Sequence, residues 1–292
     1  LHRLVSWARG CSMDADNGLN SEELSAPIGP PMTITGFLDQ TISGVGLDAP
    51  NTGSAGGHRC SSPYQVYVPR GYSADREWPL VLFLHGAGEG GDDGLLPTEF
   101  QLGSAIRRHA DLFEAIAVFP QQGPASYWSQ ADLAMAMVCL EQACRTWRID
   151  RRRLLLCGVS SGATGAWSLA VREPSRFAGL LIVGGLVGPS PGVPASEAVV
   201  SAEVEDPHRW LAQRLRQLPI WIHHGDGDPL CPVHDARRTA AALRAEGAAM
   251  RYSELPGFGH NVWDVAFYSE EVLRWLLNQK RPVTDHLGAR LS

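Results

Sequence analysis

A chain of 292 residues, 44% hydrophobic and 19% charged, is long enough to bury one sizeable core. Its formal net charge of −6 gives no electrostatic reason to expect nucleic acid or an anionic membrane surface as partner. No stretch reaches the roughly 18 to 20 apolar residues that a spanning helix requires.

The six cysteines, Cys11, Cys60, Cys139, Cys144, Cys157 and Cys231, show neither CxxC nor Cys/His ligand spacing. No metal, no cofactor and no disulfide framework is expected; buried free thiols, with at most one pair oxidised, are the plain reading. Residues 1 to 12 lack the apolar run of a secretory signal. A cytoplasmic location is therefore the expectation, with an exported form whose signal has been removed as the alternative. A homo-oligomer is left open.

Residues 1 to 30 mix Gly, Pro, Ser and acidic residues without a sustained period and read as a tail, as do the polar residues 283 to 292. A single domain is expected over residues 31 to 282. From Thr33 to Val45 and from Tyr64 to Val68, apolar and polar residues alternate as in strands, with a Gly/Ser-rich loop over 48 to 62 between them. The pattern then changes to short continuous apolar runs at Leu80–Leu84, Ile116–Phe119, Leu154–Cys157, Leu180–Val183, Ile220–Ile222 and Met250–Leu255. Runs apolar on both faces are what strands of a helix-covered parallel sheet look like. Ala131–Trp147, Val233–Glu246 and Trp263–Asn278 carry apolar residues at helical spacing, and Arg151-Arg152-Arg153 reads as a solvated turn. The fold class is α/β, a predominantly parallel central sheet flanked by helices, with antiparallel N-terminal strands. In such sheets ligands bind beyond the carboxyl ends of the strands.

Three loops at those ends carry chemistry. Gly158-Val159-Ser160-Ser161-Gly162 follows one strand and precedes helix-like Ala163–Val171. Small residues at both ends of this GxSxG pattern let the backbone turn sharply and expose the serine oxygen above the sheet. The pattern alone is weak, and Gly188-Pro189-Ser190-Pro191-Gly192 fits it too. The residue after a nucleophile must donate its N–H to the developing oxyanion, and Pro191 has none; proline there also restricts Ser190 to extended backbone. Ser160 is the candidate nucleophile.

A serine hydroxyl needs a base to take its proton and a group to orient that base. Hydrolases that carry this turn use the chain order Ser, acid, His. Of the ten histidines, His234, His260 and His286 come late enough; His286 lies in the polar tail and His234 starts a helix. His260 sits between the last expected strand and the last expected helix, where a base belongs. Asp226 and Asp228 both follow the Ile220 strand. Asp228, just before Pro229, suits a side chain turned back over the sheet and is preferred over Asp226, nearer the turn apex. Leu84-His85-Gly86-Ala87-Gly88-Glu89 is glycine-rich but lacks GxxxxGK[ST], so it is read as presenting the Ala87 N–H beside that of Ser161, two donors for an oxyanion.

Taken together, Tyr64–Pro69, Trp78–Glu89, the GVSSG turn, His224–Asp228 and Gly259-His260-Asn261 resemble the bacterial feruloyl-esterase and polyhydroxybutyrate-depolymerase-like carboxylesterases, among the prolyl-oligopeptidase-related α/β-hydrolases. The resemblance runs from about Gly36 to Arg281. It implies an α/β-hydrolase fold with a minimal lid, the triad Ser160, Asp228 and His260, the oxyanion donors Ala87 and Ser161, and Trp128 lining the acyl or alcohol pocket. Gly162-Ala163-Thr164-Gly165 departs from the family pattern of two small residues followed by an aromatic, so the pocket's shape is expected to differ. The short connection from Gly188 to Leu218 implies an accessible site. The expected activity is hydrolysis of short-chain or aryl, feruloyl-like esters of small molecules through an acyl-enzyme. A peptidase of the same fold would need a screening domain that residues 1 to 60 cannot supply. A thioesterase or lactonase shares the chemistry, and a non-catalytic binding protein of this fold would usually lack one of the three residues.

Overall fold

The computed structural model of the protein describes residues 34–43, 61–125, 127–189 and 192–282. Eight strands, β1 (Gly36–Ser43), β2 (Ser61–Val68), β3 (Trp78–Leu84), β4 (Ile116–Phe119), β5 (Ile149–Val159), β6 (Gly179–Val183), β7 (Ile220–Gly225) and β8 (Met250–Leu255), form one sheet in the order β1-β2-β4-β3-β5-β6-β7-β8. The pairings β1 with β2 and β2 with β4 are antiparallel, and all the others are parallel.

Central strands covered on both faces must be apolar at every position, and all seven residues of β3 are buried. Because strand side chains alternate, each strand feeds two cores. Leu80, Leu82, Leu154, Leu156, Leu180 and Ile182 enter one core, together with residues of α2 (Gln130–Thr146), α3 (Ser161–Arg172), α4 (Pro207–Leu215) and α5 (Val233–Ala245). Val81, Phe83, Leu155, Cys157, Leu181 and Val183 enter the other, with α1 (Gln101–Arg108), α6 (Trp263–Phe267) and α7 (Glu270–Leu277). This is the doubly covered, mostly parallel sheet of the α/β-hydrolase fold.

Several local expectations are corrected. The arginine run 151–153 lies inside β5, which starts at Ile149, and is not a turn. Its charges find partners at the sheet's end: Arg151 reaches Glu141 at 3.2 Å, and Arg153 donates to the Leu277 carbonyl at 2.6 Å. The helix expected over Trp263–Asn278 is two helices. Ser269 adopts extended backbone (ψ 117°) and its hydroxyl accepts the Val272 N–H at 3.4 Å, so a capping residue interrupts an apolar period that continues across it. Helices α1 and α4 went unforeseen. For α4 the signal was present in Asp206-Pro207: the aspartate accepts the Arg209 N–H at 3.1 Å, and proline occupies the first helical position. For α1 there is no side-chain cap.

Cys139, Cys144, Cys157 and Cys231 are free thiols. The two expected tails, most of the 48–62 loop, Cys11, Cys60, Ser190 and His286 lie outside the described residues. Among the described residues no helix is long and apolar enough to cross a membrane.

Buried histidines held neutral make the fold sensitive to acid, and His223 is the one of them without a hydrogen bond. His223 on β7 is 4% exposed, packs against Trp221 with ring centroids 5.0 Å apart, and neither ring nitrogen has a hydrogen-bond partner. Burial pushes its pKa down to about 4. A folded-state pKa below the unfolded value near 6.5 means full stability above pH 6.5 and progressive loss as pH falls toward 4. The linkage amounts to about 3 kcal/mol. His223→Phe is expected to flatten the decline in thermal midpoint between pH 6.5 and pH 4.5; a decline unchanged from wild type would show that His223 is not its source.

Candidate active site

The turn after β5 is set by close contact. Ser160 holds φ 53° and ψ −119°, a conformation that costs a non-glycine residue about 1–3 kcal/mol. It is braced by its own N–H, which donates to the Val183 carbonyl at 2.8 Å, and by its carbonyl, which accepts the Thr164 N–H at 3.1 Å. The flanking glycines allow the approach. A Cβ on Gly158 would lie 2.3 Å from the Gly162 carbonyl oxygen, and one on Gly162 would lie 2.1 Å from that of Leu84.

Two later loops bring partners to this serine. His260 Nε2 lies 2.8 Å from Ser160 Oγ, and His260 Nδ1 lies 2.7 Å from Asp228 Oδ2. Since a carboxylate only accepts, Nδ1 carries the imidazole proton and Nε2 is free to accept from the hydroxyl. Asp228 is buried, and its other oxygen accepts the N–H groups of Leu230 and Cys231 at 2.9 and 2.8 Å, which support the buried charge. Asp226 is turned away and accepts the Gly257 N–H at 2.8 Å, bracing the loop that leads to His260. Such a series can move a proton from an alcohol to an imidazole and stabilise the resulting imidazolium.

His224, a residue without an expected role, stands behind this group. Fully buried, it donates Nε2–H to the Cys231 carbonyl at 2.7 Å and lies 3.5 Å from Asp228 Oδ2, closing the 228–231 turn. Its i,i+4 spacing from Asp228 was the available signal.

The loop after β3 approaches from the other side. A Cβ on Gly86 would sit 3.7 Å from Ser160 Cβ. Ala87 and Ser161 are each the first residue of a helix, so their N–H groups have no partner within it. His85 anchors the loop: Nδ1–H donates to the Gly86 carbonyl at 2.7 Å and Nε2 accepts the Gln122 N–H at 3.1 Å. Burial holds its pKa down at about 4, so the ring is the neutral tautomer those bonds require. Gln121 donates to the Glu89 carbonyl at 3.0 Å, and Gln101, in a left-handed conformation at φ 44°, donates to the Glu89 carboxylate at 3.3 Å.

A cavity of about 420 Å³ opens on Ser160, walled by Tyr127, Trp128, Thr164, Gly165, Leu186 and Leu230. The Trp128 indole N–H donates to the His85 carbonyl at 3.0 Å, and the residue packs over Gly165, where a Cβ would come within 3.0 Å of its own. Glycine at 165 therefore makes room for the tryptophan. Asp228, Cys231 and His260 offer ligand-type atoms within 4.8 Å of one another. Their chemistry is poor for a cation: burial lifts the Cys231 thiol to about 12, and His260 Nδ1 presents a proton, not a lone pair, toward Asp228.

The sequence profile of the family described as esterase PHB depolymerase matches residues 62–204. Among solved structures, a thermostable esterase is 27% identical with a TM-score of 0.66; the match covers 84% of this chain and 63% of that one, so this chain spans under two thirds of its length. A ferulic acid esterase from Anaeromyces mucronatus, solved with ferulic acid, is 15% identical (TM-score 0.56; 85% of this chain, 92% of that one). An S-formylglutathione hydrolase from Agrobacterium tumefaciens is 16% identical (TM-score 0.60; 86% and 98%). No curated protein matches the sequence. The fold is therefore that of the α/β-hydrolases, and over residues 62–204 the chain is similar to the esterase PHB depolymerase family.

The steric account separates two glycines. Gly162→Ala is expected to cost about 3 kcal/mol or more, or to prevent folding, because backbone carbonyls occupy the space. Gly88→Ala, with nothing within 4 Å, is expected to change stability by under about 0.5 kcal/mol. Thermal or urea unfolding measures both; equal effects would contradict the contact.

Proposed function

We propose that the protein hydrolyses carboxylic esters of small molecules through an acyl-enzyme formed on Ser160. The observation that carries this reading is the continuous pair of short contacts from Ser160 Oγ to His260 Nε2 and from His260 Nδ1 to Asp228 Oδ2. His260 takes the hydroxyl proton as Ser160 Oγ bonds to the ester carbonyl carbon, and returns it to the departing alkoxide as the carbon–oxygen bond breaks. Water then enters, gives a proton to His260 and attacks the acyl-enzyme. The acid leaves and Ser160 recovers its proton. Asp228 keeps Nδ1 protonated and stabilises the imidazolium in both halves.

The N–H groups of Ala87 and Ser161 are the proposed oxyanion donors, each worth about 2.7–4 kcal/mol in the transition state. The cavity beside Ser160, with Trp128 as its fixed aromatic wall, suits a short acyl or an aryl, feruloyl-like group. The profile match and the thermostable-esterase neighbour support oxygen esters as the substrates.

Hydrolysis of p-nitrophenyl acetate and butyrate tests this directly. Ser160→Ala is expected to lower kcat by about 10⁶-fold; activity within tenfold of wild type removes the assignment. Asp228→Asn is expected to lose about 10⁴-fold, with Asp226→Asn within tenfold of wild type. The reverse order would transfer the acid's role to Asp226.

A further inference from the structure

The pocket beside Ser160 has an apolar neighbour. A second cavity, about 280 Å³, lies next to it, and the two share Thr164 and Val193 as lining residues. Its other walls include Val187, Ala198, Val199, Val200 and Val204. Among the described residues no charged side chain lines it, and Thr164 and Ser201 bring the only hydroxyls. The Thr164 hydroxyl accepts the Leu186 N–H at 3.2 Å, so it is tied to backbone and the methyl remains as the side chain's free group. An apolar space adjoining the pocket of the serine favours an apolar occupant and has little to hold water in place.

Which half of an ester lies on that side follows from the proton's route. The leaving oxygen must meet His260 Nε2, and the walls of the first cavity include Ser160 and Ser161 but not His260. On that side of Ser160 the acyl group would extend along Trp128 and Thr164, with the leaving oxygen turned toward His260. Resting on the esterase reading above, we propose that the second cavity receives the far end of a saturated acyl chain, so that the site takes medium-chain acyl esters as well as short ones. Thr164 and Val193 form the neck through which the chain passes. The sequence carried no sign of this space: its walls come from the turn of α3 after Ser160 and from the β6–β7 connection.

The test is a p-nitrophenyl ester series of acetate, butyrate, hexanoate and octanoate, below micelle-forming concentrations, so that the leaving group stays constant. Each methylene moved from water into an apolar cavity is worth roughly fourfold. The expected result is a kcat/KM that rises from butyrate to octanoate by at least roughly tenfold, against a ceiling of roughly 250-fold if all four added methylenes are fully buried. A value for octanoate no higher than for butyrate overturns the proposal. Ala198→Phe, which fills the second cavity, is expected to lower the octanoate-to-acetate ratio of kcat/KM by tenfold or more. Val193→Ala, which widens the neck, is expected to raise that ratio and serves if the first variant does not fold. An unchanged ratio in a folded variant overturns the proposal. So does a gain along butyl and octyl acetate with none along the acyl series, which would put the alcohol in this space. If wild type cleaves none of the esters, acetate included, the esterase reading fails and this proposal with it; acetate cleavage without the octanoate gain removes this proposal alone.

Discussion

The arrangement depends first on a steric contact: the backbone around Gly162 packed against the carbonyls of Leu84 and His85. That contact joins the end of β5 to the end of β3, and nothing larger than hydrogen fits at the junction. It brings the first turn of α3 beside the loop that starts at His85, so the N–H groups of Ser161 and Ala87 belong to neighbouring helix starts. It also holds Ser160 in a backbone conformation that the residue would not adopt alone. The cost of that strain is offset by the two cores that grip β3 and β5 from both faces. A serine displayed in this way has already lost the freedom that a reacting group would otherwise have to give up.

The second dependency is electrostatic. Asp228 is a buried carboxylate supported by two backbone N–H groups on one oxygen and an imidazole on the other, with His224 holding the same turn from below. A buried charge is tolerable when its acceptor sites are filled in this way. The neighbouring Asp226 is spent on Gly257, which fixes the loop that delivers His260. Two carboxylates two residues apart thus serve the same imidazole, one through its ring and the other through its backbone.

Neutral histidines frame this machinery. His85 and His223 are both buried and both held far below their ordinary pKa, yet they differ in kind. His85 uses both ring nitrogens to tie the β3 loop to Gln122 and Gly86, whereas His223 makes no hydrogen bond and only packs. Polar groups of the second kind lower stability without a local return, which is the usual mark of a residue kept for reasons other than packing; nothing in the structure explains its presence.

Much of this was legible from residues alone. Continuous apolar runs marked the central strands, and the order of a GxSxG turn, a late aspartate and a later histidine drew attention to the residues that the fold brings together. These are properties of neighbours in the chain: alternation, glycine where side chains cannot fit, proline where an N–H is needed. Three things were not legible in that way. The arginines of 151–153 look like a turn because charge is a local signal, while their place in β5 follows from partners on α2 and α7. The apolar period of 263–278 runs straight through Ser269, and only packing decides that its hydroxyl caps a new helix. The pocket's shape rests on Trp128 finding both the His85 carbonyl and the space over Gly165. The sequence by itself determined which reactive groups the chain carries and in what order, since that is written in residue identity. The tertiary structure alone decided how Asp226 is used, on the Gly257 N–H, and where apolar space is left over, because both depend on distances between residues far apart in the chain, and those distances are set by how the sheet and its helices pack.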